Sequence, residues 1–363
     1  MLCLGIESSC DDSSLALVRD GALVAQATAS QSSLHALFGG VVPEMASREH
    51  ARFLGPLCDS LLADAGASPE DVDLVAVARG PGLLGSLLVG VAFAKAFALG
   101  TGAGLIGVNH LHAHLFAAAL EQDLALPALG LLVSGGHTDI CRIEAPDRII
   151  LMGRTLDDAA GEAFDKAGKM LGLPYPAGIY IDELAEEGRA DAGLFPRPYL
   201  NNDSLDFSFS GLKTAMAEHI AARRREGLEA AVPWNAATGL PELPEGEARV
   251  RLADLCASYR LAVVDTLAAK VEKALCRPAM GDAVSIILAG GVAANSLLRS
   301  RMRALAETRG KHFFAPSRAL CTDNGAMIGY LGWRLAELGY RHGLELEAIP
   351  RGRRVPDDMT RML

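Results

Sequence analysis

Three histidines alternate at His110, His112 and His114, directly ahead of an apolar run over 115–120. On a helix, His110 and His114 stand four residues apart on one face, while His112 points to nearly the opposite side. A pair at that spacing can chelate one divalent cation, with a third ligand coming from elsewhere in the chain. The same spacing suits hydrogen-bonded histidines at a helix start, and spacing alone leaves both readings open. A metalloprotease helix of the H-E-x-x-H type carries its general base directly after the first histidine. Here that position is Leu111, so the protease motif is absent.

Carboxylates offer the other ligands. Asp323 sits in "CTDNGAM", a polar bend ahead of an apolar helix, where Asp323 or Thr322 reads first as an N-cap and second as a metal ligand. Asp11 and Asp12 lie at a strand bend, as turn residues or as carboxylates orienting a cation near phosphates. Asp157, Asp158, Glu162 and Asp165 are spaced to line one helical face, either solvated or aimed at a hydroxyl, an amine or a metal.

Two glycine turns, "SGGHT" (134–138) and "AGGVAAN" (289–295), follow apolar runs. Such turns, where they open a helix, aim backbone N–H groups at phosphate. One Gly-Gly turn is weak evidence, but two in matching places of two halves point to a nucleotide held between domains. No G-x-x-x-x-G-K-[ST] and no G-x-G-x-x-G opening a first βαβ unit is present, which removes the P-loop and dinucleotide-binding readings.

The elements that must position these groups repeat one design: an apolar run, a Gly-rich turn, then a helix or another strand. The first 26 residues read as a two-stranded hairpin, "DLVAVARGPGLLGSLLVG…" as strand, turn and long apolar helix, and "VSIILAGGVAANSLL…" as strand, turn and helix. This is an α/β pattern of two related domains with mixed sheets covered by helices. The expected division is 1–109 plus about 325–350 for the first domain and 110–324 for the second. A surface insertion is expected at about 223–246 and a charged, flexible tail at 351–363.

Composition narrows the class. The 363 residues are 50% hydrophobic but only 5% aromatic, with 38 glycines, enough for two Gly-punctuated domains. Seven scattered cysteines form no C-x-x-C pair, which reads as reduced thiols in a cytoplasmic protein. The N-terminus has no basic n-region of the signal-peptide kind. The most membrane-like stretch, 83–108, carries Lys95 in its middle and reads as a packed helix. A net charge of −10 argues against a chain that grips nucleic acid alone, although "ARRREG" (222–227) and "RGRR" (351–354) are local basic clusters.

The stretches "GIESSCDDS", "GGVVPEMASREH", "GPGLLGSLLVG", "HLHAH", "LLVSGGHT", "DDAAGEAFDKAGKMLG", "DFSFSGLKT", "AGGVAAN" and "CTDNGAM" run through most of the chain. Together they make it resemble the tRNA adenosine threonylcarbamoyltransferases, a family formerly called O-sialoglycoprotein endopeptidases. The resemblance implies two actin-like ATPase domains facing across a nucleotide cleft. It implies transfer of threonylcarbamoyl from threonylcarbamoyl-AMP to N6 of the adenosine 3′ of the anticodon, in tRNAs reading codons that begin with A. His110, His114 and Asp323 would hold one divalent metal, Fe2+ first and Zn2+ second, which reverses the cap-first reading of Asp323. Leu132, Val133, Ser134, Gly135, Gly136, Asp165, Gly178, Asp182 and Asn295 would contact the adenylate, or ATP in its place. The implied partners are tRNA, a smaller actin-like paralogue and a P-loop ATPase, with the donor made by a separate synthase and no membrane involved. No residue is singled out as a general base.

One departure stands out: "YPAGI" replaces the family's "YPGGP", so Ala177 could restrict the loop that carries Gly178. Competing readings are a metal-dependent glycoprotein endopeptidase, a non-catalytic actin-like scaffold, and an actin-like ATPase or sugar kinase. Leu111 opposes the first and the intact His110–His114–Asp323 set opposes the second. The third would carry Asp-x-Gly-x-Thr where this chain has "IESSCDDS".

Overall fold

The computed structural model describes residues 1–225, 232, 234–235, 240–356 and 358–361. The chain forms two compact units. Unit 1 comprises Met1–Leu124, Ala145–Ile149 and the chain from Pro316 onward; unit 2 comprises Ala125–Glu144 and Ile150–Ala315.

Along the chain, unit 1 begins with β1 (Leu2–Glu7), β2 (Asp12–Arg19), β3 (Ala22–Ser30), α1 (Ser32–Ala36) and α2 (Pro43–Asp64). It continues with β4 (Leu74–Gly80), α3 (Leu84–Thr101), β5 (Gly104–Asn109) and α4 (His110–Phe116). Unit 2 is built on β6 (Ala128–Val133), β7 (Thr138–Ala145), β8 (Arg148–Arg154), α5 (Ala160–Leu171), α6 (Gly178–Glu187) and α7 (Ser210–Arg225). It goes on through β9 (Trp234–Asn235), β10 (Leu240–Pro241), α8 (Gly246–Leu275), β11 (Ser285–Ala289), α9 (Ser296–Thr308) and β12 (His312–Phe314). The chain then returns to unit 1 with α10 (Gly325–Glu337), β13 (Tyr340–Arg341) and β14 (Thr360–Arg361).

The two main sheets share one topology. Unit 1 orders its strands β3-β2-β1-β4-β5, and unit 2 orders them β8-β7-β6-β11-β12. In each, the first strand pairs antiparallel with the next and parallel with a strand reached through helices. The inner strands β1, β4, β6 and β11 are buried at every position, as expected of strands covered on both faces.

Several expectations needed correcting. The expected two-stranded hairpin is a three-stranded meander, because Asp20 and Gly21 take positive φ of 50° and 85° and turn the chain a second time. The Asp-Gly pair was the available signal. "SGGHT" joins β6 to β7 and so does not open a helix, whereas the second glycine turn leads through a short 3-10 turn into α9. The division falls after Leu124, not 109, so α4 and the 316–324 segment belong to unit 1. Residues 223–225 complete α7 rather than begin an insertion, and much of the rest of that segment lies outside the described residues.

The tail is tied down. Ile349 N–H donates to Arg79 O, Arg351 N–H donates to Gly82 O, and β14 pairs with β13. Asp358 accepts from the Arg79 guanidinium, which is only 2% exposed. A buried guanidinium needs partners, and the tail supplies one. The apolar helix α3 is long and apolar enough to cross a membrane by composition. In unit 1 it lays Leu87, Val91, Ala94 and Ala98 into the core.

A candidate metal centre and a candidate nucleotide cradle

The metal-type cluster lies wholly in unit 1. Asn109 ends β5 and caps α4, its side chain accepting from Leu111 N and His112 N. This puts His110 and His114 in the first two turns with their rings 4.7 Å apart, edge to face. His112 faces the other side and takes no part. Asp323 arrives from far along the chain, ahead of α10. The cap of α10 is neither Asp323 nor Thr322 but Asn324, whose Oδ1 accepts from Met327 N at 2.8 Å. Capping by the neighbour leaves the Asp323 carboxylate for the histidines. A Cβ on Gly5 would overlap Gly325 O and the Gly329 backbone, so only glycine lets α10 lie this close to β1.

Asp323 Oδ1 is 3.1 Å from His114 Nε2 and 3.7 Å from His110 Nε2. Metal bonds of about 2.1 Å meeting at roughly 90–110° separate neighbouring donor atoms by about 3.0–3.4 Å. The 3.1 Å separation falls in that range, the 3.7 Å one a little above it, and all three donor atoms lie within 4.8 Å of one another, so two imidazoles and a carboxylate could close on one transition-metal ion with a small shift. The histidines are buried and the Asp323 side chain is 25% exposed, so the cluster has a solvent side.

Glu7, which the sequence reading did not single out, completes the arrangement. It is fully buried at the end of β1, accepts from Ser9 N at 2.6 Å, and meets His110 Nδ1 at 2.8 Å. Ser9 Oγ lies 3.2 Å from the same nitrogen. A proton held on Nδ1 leaves the Nε2 lone pair facing Asp323. Burial opposes a charged His110, but Glu7 and Asp323 outweigh it and raise its pKa to about 9 without a metal. The available signal was an acid ending a fully apolar strand. His50, in "ASREH", braces the same bend: its ring meets Ser13 Oγ at 2.7 Å and Cys10 O at 2.9 Å. Asp12 is driven up to about 6, by burial first and by Asp323, Asp11 and Glu7 next.

The adenylate-type residues lie wholly in unit 2. Leu132 and Val133 end β6, and Ser134 closes the turn by bonding N–H to His137 O and accepting His137 N–H on Oγ, which holds Gly135 and Gly136 between them. Gly290, at φ 88°, sits where a Cβ would overlap Val133 O, so the two glycine turns are neighbours. Asp165 accepts from Ala177 N at 2.8 Å. Ala177 has an ordinary φ of −83°, so the expected restriction does not arise and Gly178 opens α6 normally.

Asp182 and Asn295 are bonded to each other at 2.8 Å, and Asn295 Oδ1 caps α9 through Leu298 N. Asp182 also accepts from Ser296 N, Ser296 Oγ and Arg260 Nη1. Arg260 was not anticipated: it is 7% exposed and ties Asp182 to Glu186. The expected acidic face does not exist as such. Asp157 receives the N–H groups of Phe209 and Ser210 at the start of α7, while Asp158 and Glu162 share Lys166.

A repeated mixed sheet in each unit, a histidine–carboxylate cluster in one and paired glycine turns in the other define an α/β enzyme of the actin-like ATPase fold. The crystal structure of T. kodakarensis HypF has that fold in common with this chain, at a TM-score of 0.56 and 14% identity, over 93% of this chain and 48% of that one. The family model for tRNA N6-adenosine threonylcarbamoyltransferase (TsaD) matches residues 22–330. Proteins named tRNA N6-adenosine threonylcarbamoyltransferase are 58% identical in Nitratidesulfovibrio vulgaris strain DP4, over 99% of this chain and 98% of that one. The one from Lawsonia intracellularis is 54% identical over the full length of both chains, and that of Geotalea uraniireducens is 44% identical over 96% of each.

The chain belongs to the tRNA N6-adenosine threonylcarbamoyltransferase family. It is an acyltransferase that makes threonylcarbamoyladenosine in tRNA.

Proposed function

We propose that the enzyme holds one divalent metal ion on His110, His114 and Asp323, Fe2+ in preference to Zn2+. Its donor is threonylcarbamoyl-AMP, cradled by Leu132, Val133, Ser134, Gly135, Gly136, Asp165, Gly178, Asp182 and Asn295. Its acceptor is N6 of the adenosine 3′ of the anticodon, in tRNAs reading codons that begin with A. The carrying observation is the convergence of both Nε2 atoms on Asp323 Oδ1, with Glu7 behind His110. Two histidines and one carboxylate with open positions suit Fe2+, and a tetrahedral Zn2+ site uses the same donors.

When bound, such an ion supplies Lewis acidity toward the carbamoyl carbonyl. Glu7 keeps the His110 proton on Nδ1 and fixes the ring. The Gly135–Gly136 turn after β6 suits the adenylate phosphate. Asp182 Oδ1 already accepts from Arg260, Asn295 and Ser296, whereas Oδ2 accepts from Ser296 N and keeps a lone pair for a ribose or threonine hydroxyl. An adenine N6 amine is a weak nucleophile, so holding it against the donor contributes more than a strong base would.

The enzyme acts in the cytoplasm with a smaller actin-like paralogue and a P-loop ATPase, taking its donor from a separate synthase. The exposed face of α3, with Leu84, Leu88 and Leu99 at 47%, 52% and 71% exposure, supports docking of the paralogue there. The endopeptidase reading gains no support, since Leu111 occupies the place of the protease glutamate.

The test is a reconstituted transfer with threonylcarbamoyl-AMP, unmodified tRNA and the partner proteins, with product counted by mass spectrometry and metal content measured on the same samples. Loss of both product and bound metal in Asp323→Ala supports the assignment. Full product from that variant removes the metal assignment, and no product from the intact chain with competent partners removes the reading.

A further inference from the structure

Unit 2 carries an open groove of about 750 Å³ between α5 and α7, with Lys169 and Met170 on one side and Ala217, Ala221, Arg224 and Arg225 on the other. Its origin is local. Leu212, Met216 and Ile220 form the buried stripe of α7, and small residues Ala217 and Ala221 on the next face leave a channel beside α5. Both helices start near one another. Asp157, just ahead of α5, caps the first turn of α7, and Thr138 Oγ1 accepts Ala160 N at the start of α5. Running side by side from there, they bring both cationic C-terminal ends to one edge.

A helix C-terminus favours cations on its own. Lys169 in the last turn of α5 and Arg224 and Arg225 in the last turn of α7 all meet that preference, and the two helix ends line one groove. Elsewhere in unit 2 several cations are paired: Arg142 with Asp282, Arg197 with Asp265, Arg249 with Glu187 and Lys166 with Asp158. Among the described residues, Lys169, Arg224 and Arg225 make no ion pair, and the one side-chain bond of Arg225 is Nε to Ala221 O at 3.3 Å. Among the described residues, no acid lines the groove. Glu218, on α7, stands about 20° around the helix from Arg225 but seven residues, about 10 Å, before it. A chain of net charge −10 thus keeps three uncommitted cations in one channel.

We propose that this α5–α7 groove holds backbone phosphates of the tRNA substrate through Lys169, Arg224 and Arg225. Guanidinium groups bind phosphate oxygens in pairs, and an open channel over small residues admits a strand rather than enclosing a small anion. The location is consistent with the reaction. Gly161, in the first turn of α5, abuts Ser134 and Gly135, and Lys169 lies eight residues beyond it, about 12 Å along the helix. A few nucleotides of backbone span that distance. The inference rests on the reading that the donor occupies the 134–136 turn.

The test replaces Lys169, Arg224 and Arg225 together by glutamine, with Arg224→Gln alone as a milder second variant. tRNA binding to the complex with its partner proteins is titrated at several salt concentrations, and transfer kinetics are run in parallel. Three lost phosphate contacts make the dependence of log affinity on log salt shallower by about three, and the single variant by about one. The tRNA KM of the triple variant should rise about tenfold or more at moderate salt, with donor KM and kcat at saturating tRNA unchanged. An unchanged salt slope and tRNA KM overturn the proposal, as does a loss confined to assembly with a partner protein. A parallel fall in donor binding, marking a general structural effect, also overturns it. If the intact complex makes no product, the functional reading falls, while the salt titration still decides whether the groove binds tRNA.

Discussion

Glu7 Oε2 lies 2.8 Å from His110 Nδ1, and the carboxylate is fully buried at the end of β1. Its other oxygen is held by Ser9 N–H at 2.6 Å, so the carboxylate cannot swing away from the ring. Glu7→Gln keeps the shape but removes the charge that makes His110 a better donor. Metal affinity should fall by about 10–100-fold. Competition against a chelator of known affinity reads this directly, and affinity equal to the unaltered protein would show that Glu7 only packs.

The histidines should separate cleanly. His114→Ala removes a ring whose Nε2 faces Asp323, whereas His112→Ala removes one that does not. Metal content after purification should drop to background in the first and stay unchanged in the second. Equal loss in both would mean that α4 as a whole, and not the face chosen by its period, holds the metal.

Asn324→Ala tests whether the cap of α10 sets the carboxylate next to it. Losing the bond to Met327 N should cost about 1 kcal/mol, or roughly 2–4 °C in the melting temperature of metal-free protein. Metal affinity should also weaken, since Asp323 loses its fixed neighbour. Stability loss with intact metal affinity would place Asp323 under other restraints.

Removing Arg260 leaves Asp182 and Glu186 close together without their shared cation. Arg260→Met should destabilise by about 2–3 kcal/mol, less than a fully buried pair because Glu186 is 61% exposed. Donor KM should rise more than kcat falls, with Arg260→Lys recovering part of it. A variant that loses stability but keeps donor KM would make Arg260 purely structural.

The tail clasp should be acid-sensitive. Gly107 N–H donates to His342 Nδ1, and Nε2 lies 3.2 Å from Asp358 Oδ1 and 3.1 Å from Arg79 Nη1. Protonating Nδ1 would break the Gly107 bond, and the His342 pKa lies below 6.5, through burial first and Arg79 next. The folded state therefore takes this proton less readily than the unfolded one. This penalty is absent above pH 6.5 and grows as pH falls below it, so stability rises with pH through that window. His342→Gln should flatten the difference between melting temperatures at pH 7 and pH 5.5. A slope as steep as that of the unaltered protein would assign the acid sensitivity to other groups.

How much was legible depended on whether a signal was local. The strand–glycine–helix pattern gave β4 with α3 and β11 with α9, and the four-residue spacing of His110 and His114 placed both rings on one face. The second hairpin has its own local signal, the Asp-Gly at 20–21. Asp323 was misleading as a cap because Thr322, Asp323 and Asn324 are all capping residue types. Only the backbone dihedrals ahead of α10 decide which one bonds to it.

The sequence by itself determined the periodicities, the glycine positions and the family motifs, because each depends on residues within a few places of one another. The tertiary structure alone decided that Glu7, His110, His114 and Asp323 meet, across 316 residues of chain. That meeting rests on β1 lying beside β4 and β4 beside β5, and on Gly5 admitting α10 against the sheet. It decided too that Lys169 and Arg224 share a groove and that Asp358 closes over Arg79. Buried charges and long-range pairs are set by which elements pack together, and packing is a property of the whole chain rather than of any window in it.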